Sequence, residues 1–189
     1  MPAVTGKEST EMTVVIRGNR ICLRFVMPDD AAYIHGLRVN PAYNAHLSAV
    51  SGTADDQRGW IEAYKAREAA GLEFYYIIER QDGLPCGTVR LYHISDHSFS
   101  WGSWILDSNK PAKAALESAV MIYDLGFEQF TRKKAVFEVR TENERTLEFH
   151  RRFGAVETGQ DDENFYFELS RADYQANRPA FLSVIEATP

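Results

Sequence analysis

The chain has 189 residues, of which 44% are hydrophobic, 25% charged and 12% aromatic, a composition typical of a globular protein with one buried core. This composition excludes a disordered chain and a collagen-like repeat. Lys and Arg sum to 21 against 27 Asp and Glu, so the formal net charge is −6. Because phosphate binding draws on clustered cations, and no long basic run is present, a nucleic-acid partner is not expected.

The N-terminal half of the chain contains a polar leader, two β-type runs and two helical segments. Pro28 followed by two acids, and Thr53 followed by Asp56 as in a capping box, are typical of helix starts. The predicted segments are a disordered leader over 1–12, strands over Thr13–Arg17 and Ile21–Phe25, and helices over Ala31–Val39 and Thr53–Gly71. The leader has no apolar run of the signal-peptide kind and nowhere do 18 apolar residues run together, so we expect a cytoplasmic protein without a membrane partner.

The middle of the chain alternates in the manner of strands and then changes to a helical period. Three strands are predicted at Phe74–Arg80, Gly87–Ile94 and Ser98–Leu106. The short turns between them predict an antiparallel meander. Apolar residues spaced by three and four then predict a long helix over Lys113–Gln129.

The C-terminal part is predicted to contain a strand, a helix that begins at a Thr141-x-x-Glu144 capping box and ends at Gly154, and two more strands. Residues 176–189 are predicted to be a tail. This order predicts one domain over 13–175 with an α/β (α+β) three-layer fold, in which helices cover both faces of a mixed, mostly antiparallel sheet of about seven strands. Cys22 and Cys86 lie far apart and are expected to be buried thiols, and no metal site is expected.

One motif lies in the segment 139–155, where Asn143, His150 and Gly154 are spaced by seven and four residues. Residues seven apart on a helix lie two turns apart on one face, so both can face the same cleft. This motif and the order of elements resemble the GNAT acetyltransferase superfamily, over roughly Asn19 to Tyr174. The resemblance implies a GNAT-like domain that transfers acetyl from acetyl-CoA to a primary amine by direct attack in a ternary complex.

The resemblance also implies which residues contact acetyl-CoA. They are Ile105 and Leu106 for the pantetheine arm, Lys110, Lys113 and Ala114 for the diphosphate, and Asn143 for the thioester. Relatives place a glycine-rich loop before the long helix, whereas the segment 107–115 of this chain has no glycine, and Pro111 removes one N–H donor. A non-catalytic acyl-CoA-binding module is therefore an alternative.

The catalytic residues follow from the same resemblance. His150 stands where relatives often place the Tyr that protonates the departing CoA thiolate. Relatives often carry a Glu base on the fourth strand, where this chain has Ser100, so His93 is the candidate base, with His97 as the other option.

The acceptor is expected to be a small-molecule amine held by three residues, Arg38, Tyr43 and Trp101. The chain is most similar to the branch that contains ribosomal-protein N-terminal acetylases and amino-sugar-nucleotide acetylases. We favour an amino-sugar nucleotide, and acetylation of a protein N-terminus is the alternative. A homodimer is an option that the sequence leaves open.

Overall fold

A computed structural model describes residues 15–187 of the chain, and in this part eight strands form one mixed sheet. The order across the sheet is β1-β2-β3-β4-β5-β6-β8-β7, and only the β5–β6 pair is parallel. The strands are β1 (Ile16–Arg17), β2 (Ile21–Phe25), β3 (Phe74–Arg80), β4 (Pro85–Tyr92), β5 (Ser98–Leu106), β6 (Lys134–Arg140), β7 (Val156–Gln160) and β8 (Asn164–Ser170). The predicted mixed and mostly antiparallel sheet is confirmed, with eight strands rather than about seven.

Five helices cover the two faces of this sheet, which confirms the three-layer arrangement. They are α1 (Ala31–Val39), α2 (Ala54–Ala69), α3 (Ala114–Asp124), α4 (Glu144–Phe153) and α5 (Arg171–Glu186). Helices α1 and α2 pack on one face, where Ile34 and Ile61 join Tyr75 and Ile77 of β3 in a small core. The face covered by these two helices is called the α1 side. Helices α3, α4 and α5 pack on the opposite face, the α3 side, over the larger core.

The helix ends show which local signals were interpreted correctly. The capping box at Thr53 is present, since its hydroxyl accepts from the Asp56 N–H and the Asp56 carboxylate accepts from the Thr53 N–H. The predicted Thr141 cap was wrong. Helix α4 is capped by Asn143, whose side-chain oxygen accepts from the Thr146 N–H at 3.3 Å. Asn143, the first residue of the motif with His150 and Gly154, is therefore the N-cap of α4.

The long helix that was predicted to reach Gln129 ends as an α-helix at Asp124 and continues as a π-helical turn over Leu125–Gln129. In this turn a Cβ on Gly126 would collide with the ring of Phe99 on β5. Glycine therefore lets the helix end approach the strand closely.

The prediction of a tail over 176–189 was wrong for residues 176–186, which belong to α5. Pro179 lies inside this helix and lowers its helix propensity. Tertiary contacts offset that cost. Arg178 forms two hydrogen bonds of 2.7 Å with the Asp124 carboxylate, and the Phe181 ring stacks on Phe153 at a centroid distance of 4.2 Å.

Three other predictions concern the ends, the thiols and the membrane. The predicted leader over 1–12, and Thr13 and Val14 of the first predicted strand, lie outside the described residues. Cys22 and Cys86 are buried free thiols, as predicted. Among the helices of residues 15–187, none has the length and apolar character that crossing a membrane requires.

Candidate active site

A gap opens in the sheet between the two parallel strands. Strands β5 and β6 pair only through Ser98 with Lys134 and Phe99 with Ala135, and beyond these residues they diverge. The backbone groups on this edge of β5 therefore have no partner in β6, although strand N–H and C=O groups need one. A cavity of about 350 Å³ fills the gap and is lined from both faces of the sheet.

A β-bulge in β5 shapes the wall of this gap. Opposite β4, Thr88 faces Ile105 and Arg90 faces Gly102, so Ser103 and Trp104 together oppose a single residue. Ser103 has a positive φ of 46°, and its carbonyl accepts from the Thr88 hydroxyl at 3.0 Å. A bulge of this kind turns the strand and changes the direction of side chains.

The bulge brings Trp101 and Trp104 together. In a regular strand these residues, three apart, would point to opposite faces of the sheet. Their rings instead lie 5.3 Å apart in an edge-to-face contact, and both line the cavity. Trp101, which was predicted to hold the acceptor, is buried among the side chains of the α3 side. It therefore does not face the α1 side, where Arg38 lies.

On the α3 side the cavity is bordered by a cluster of aromatic rings around His150. The ring of His150 lies 4.3 Å from that of Phe137 and 5.3 Å from that of Trp101, and the residue is 4% exposed. Burial lowers the pKa of His150 to about 3, and its Nδ1 has no partner within the described residues. The imidazole is therefore neutral at physiological pH, and protonation of sulfur by an imidazolium at this position is disfavoured.

Asn143 and His150 both line the cavity, so the helix spacing brings the two motif residues to one place. Gly154 ends α4 with a positive φ of 92°, which suits glycine. His150 is buried because Phe137 and Phe167 of the sheet cover that face of α4.

A second cavity of about 250 Å³ lies against the first, since both are lined by Trp104 and Thr146. Leu106, Lys110 and Arg145 also border it. Leu106 and Lys110, both predicted to contact acetyl-CoA, thus lie between the end of β5 and α4. Arg145 was not predicted to belong to the site, because the sequence of α4 does not show which of its arginines faces β5.

The loop between β5 and α3 has no glycine, and side chains hold its shape instead. Asp107, 5% exposed, accepts from the Tyr33 hydroxyl at 2.8 Å and from the Asn109 N–H at 2.7 Å. The Tyr43 hydroxyl accepts from the Ser108 N–H at 3.2 Å. Tyr43 does not line either cavity, so it supports this loop rather than occupying the predicted acceptor position.

Two predicted diphosphate contacts are engaged within the chain. Lys113 has a positive φ of 67°, and its ammonium group donates to the Ala187 carbonyl at the end of α5. The Ala114 N–H donates to the Pro111 carbonyl at 3.2 Å. Of the residues predicted for the diphosphate, Lys110 alone lines the second cavity.

On the α1 side the cavity is bordered by charged and polar groups. Arg38, a residue predicted to hold the acceptor, lines it, and its guanidinium donates to the Ser48 hydroxyl at 3.0 Å. Five further polar residues there were missed from the sequence: His46, Tyr92, Glu138, Arg140 and Glu163. They come from four separate segments, so no local pattern connects them.

His93 is not brought to this cavity. It follows the end of β4, is exposed, and has a positive φ of 49°. The neighbouring Tyr92 lines the cavity instead, with its ring over Gly102. His97 also lies in an exposed turn outside the cavity. Neither histidine has the geometry that was expected of the base.

The arrangement suits a long molecule that enters along the α3 side and reacts with one that enters from the α1 side. The free edge of β5 can hydrogen-bond an extended chain, while Lys110 and Arg145 can receive an anionic end. Within residues 15–187, no group of three or more His, Cys, Asp or Glu side chains could hold a metal ion.

Comparisons with known proteins agree with this geometry. Residues 20–156 match the family model of the acetyltransferase (GNAT) domain. A search of curated protein sequences found no match.

Solved structures give close similarities. The structure described as apo FdhC, a nucleotide-linked sugar GNAT, is 38% identical, with a TM-score of 0.83 over 90% of this chain and 98% of that one. Two more distant structures share the fold. The ribosomal-protein-S5-alanine acetyltransferase from Vibrio fischeri is 15% identical, with a TM-score of 0.72 over 85% of this chain and 98% of that one. Spermidine N-acetyltransferase from Vibrio cholerae, in complex with CoA and spermine, is 18% identical, with a TM-score of 0.72 over 82% of this chain and 98% of that one.

Proposed function

Because the chain belongs to the GNAT acetyltransferase family and is thus an N-acetyltransferase, we propose that it transfers acetyl from acetyl-CoA to an amino-sugar nucleotide. The observation that carries this proposal is the gap between β5 and β6. It gives one cavity that aromatic rings line on the α3 side and charged groups line on the α1 side. Such a cavity suits a direct reaction between two bound molecules.

The α3 side fits the acyl donor. Acetyl-CoA supplies an activated acetyl group as a thioester. The edge of β5 from Ser100 onward, unpaired with β6, would hold the pantetheine arm through backbone hydrogen bonds. Lys110 and Arg145, on either side of the second cavity, would bind the diphosphate with charge-assisted hydrogen bonds. These two cations would replace the glycine-rich loop that this chain lacks.

The α1 side would hold the acceptor. Arg38 and Arg140 line this side of the cavity and can bind an anionic or hydroxyl-rich molecule. Tyr92 lies beside the gap. The choice of a nucleotide-linked sugar is supported by the 38% identical relative, which is described as a nucleotide-linked sugar GNAT. Acetylation of a protein N-terminus and acyl-CoA binding without catalysis remain the competing functions. The cytoplasmic location and the homodimer stay predictions.

The first experiment measures donor binding by thermal shift. Acetyl-CoA at 100 times its Kd should stabilise the protein by about 2.7 kcal/mol. The double variant Lys110→Ala, Arg145→Ala should weaken acetyl-CoA binding by roughly tenfold or more, because two charged hydrogen-bond donors are lost. Arg152→Ala is the matched control, since this arginine lies on the same helix, is exposed and borders neither cavity.

Turnover then tests the acceptor. Nucleoside-diphosphate amino sugars are compared with the corresponding free amino sugars, with spermidine and with a peptide that has a free N-terminus. We expect the highest kcat/KM for a nucleotide-linked sugar. Faster acetylation of the peptide would favour the competing function. Donor binding without turnover of any amine would favour a binding module, and no thermal shift with acetyl-CoA would contradict the proposal.

A further inference from the structure

The acceptor must lose a proton before it can attack. An alkylammonium group has a pKa of about 10, and an amino-sugar ammonium, although less basic, is still largely protonated at pH 7. Strand β5 offers no carboxylate along its length, and Ser100 cannot act as a base. His93 and His97 lie outside the cavity, and His150 is neutral with a pKa of about 3 on the α3 side. The group that takes this proton must therefore come from another element.

Glu138 of β6 lies where such a group is needed. Its neighbour Phe137 is buried on the α3 side, and successive strand residues point to opposite faces, so Glu138 faces the α1 side. It is exposed and lines the cavity. Its position along β6 is three residues beyond Ala135, where the pairing with β5 ends, so it lies in the opened part of the gap.

The charged neighbours of Glu138 leave its carboxylate free. The other acidic residue that lines this cavity, Glu163, forms an ion pair with Arg140. The Glu138 side chain forms no ion pair or hydrogen bond within residues 15–187, and the register partner of this residue on β8 is Tyr166. The remaining titratable groups that line this side of the cavity are Arg38 from α1, His46 from the loop after α1, Tyr75 from β3 and Tyr92 from β4.

Tyr92 connects Glu138 to the gap. The negative charge of Glu138 contributes to a raised pKa of the Tyr92 phenol, after the larger effect of burial, which indicates that the two side chains lie near each other. The hydroxyl of Tyr92 lies over Gly102, at a distance of 3.0 Å from the position that a Cβ would take there. Glycine at this point of β5 thus leaves room for the phenol beside the gap.

We propose that Glu138 is the general base, a role that rests on the proposed function. The carboxylate accepts one proton from the acceptor ammonium and passes it to solvent. The nitrogen lone pair then forms a bond to the thioester carbonyl carbon, and the C–S bond breaks. The nitrogen loses its second proton as the amide forms, and the CoA thiolate gains one. Donor binding does not involve Glu138.

The test compares Glu138→Gln with wild type over a range of pH. At about pH 7 we expect kcat to fall by roughly 10²-fold or more, because the amide cannot accept the proton. The deficit should shrink as pH rises towards the pKa of the acceptor, where the free amine needs no base. Glu138→Asp should recover part of the rate. Glu144→Gln, which removes an exposed carboxylate of α4 outside both cavities, should behave as wild type.

Three results would overturn the assignment. A rise in the acceptor KM with unchanged kcat would show that Glu138 only binds the ammonium group. A deficit that stays constant with pH would show a structural effect. The same pH-dependent deficit in His46→Gln, with Glu138→Gln active, would give the role to His46. The thermal shift with acetyl-CoA should be the same in Glu138→Gln and wild type, so failure of the proposed function would appear separately, as absent donor binding or turnover in the wild type.

Discussion

The two sides of the gap between β5 and β6 are built from opposite kinds of side chain. On the α3 side the rings of Trp101, Phe137 and His150 are buried against one another. On the α1 side Arg38 and Glu138 face the same cavity from elements that leave them partly or fully exposed. One side of the cavity is therefore apolar and buried, and the other is polar and open to solvent.

This difference follows from the period of a β-strand. Phe137 and Glu138 are consecutive residues of β6, so a single strand supplies one residue to each wall. In the proposed reaction, the apolar side would protect the thioester from hydrolysis and the polar side would accept the proton. Side-chain alternation at the place where the sheet opens would then assign one side of the cavity to each substrate.

The strongest way to separate the two walls is to change these neighbours one at a time. Phe137 is 2% exposed, and Phe137→Ala should lower the free energy of unfolding by about 3–5 kcal/mol, because it leaves a cavity in the core. Glu138→Gln should change it by less than about 0.5 kcal/mol. Urea unfolding of both variants measures the contrast. Equal destabilisation by the two variants would show that the wall on the α1 side is also part of the core.

A change in stability of intermediate size should appear at acidic pH. The pKa of His150 is lowered by burial from 6.5 to about 3, so the unfolded chain takes up this proton first as pH falls. The neutral, buried imidazole therefore makes its full contribution to the free energy of unfolding above about pH 6.5. This contribution is lost as pH drops towards 3, and at pH 4.5 the free energy of unfolding is lower by roughly 2–3 kcal/mol.

This loss is measured as the fall in Tm between about pH 7 and pH 4.5. His150→Phe should reduce the fall, since a phenyl ring cannot be protonated. His97→Gln, at an exposed turn, should fall as much as wild type. An unchanged acid response in His150→Phe would mean that the imidazole is hydrated rather than buried.

The smallest expected effect concerns the hydrogen bond between the segment after α1 and the loop before α3. Tyr43 belongs to the segment after α1, yet its hydroxyl accepts from the Ser108 N–H in the loop that precedes α3. Tyr43→Phe should raise the Kd of acetyl-CoA by about two- to fivefold, because one hydrogen bond that shapes this loop is lost. Isothermal titration is sensitive enough to detect the change.

The matched control is Tyr166→Phe, which removes a hydroxyl that donates to Asp161 in the β7–β8 turn, away from this loop. It should leave the Kd of acetyl-CoA as in wild type. A similar change in both variants would show that loss of a surface hydroxyl, and not the contact with Ser108, affects binding.

The sequence predicted the framework because its signals are local and strong. The capping box at Thr53, the short turns of the meander and the apolar period of α3 each specify an element without reference to the rest of the chain. Helix α5 was missed for the opposite reason. Pro179 weakens its local signal, and its stability comes from contacts with Asp124 and Phe153 that are distant in sequence.

Spacing predicted only the pair of site residues on one helix, whereas Arg38, Leu106 and Lys110 came from the family resemblance. Asn143 and His150 share a helix face, so their common position at the cavity followed from spacing alone. The direction of Trp104 did not, because a β-bulge reverses strand alternation and leaves no sequence signature here. The pKa of His150 also depends on rings from two strands that close over α4.

By itself the sequence determined the three-layer framework, the position of α4 and the pair of motif residues on it, since helical and strand periods are properties of neighbouring residues. Only the tertiary structure decided that Glu138 and Arg145 face the gap while His93 and Tyr43 do not. Strands β5 and β6 separate after Phe99 and Ala135, and the bulge further along β5 turns its side chains at the gap. Which side chains meet there is consequently a property of the whole sheet.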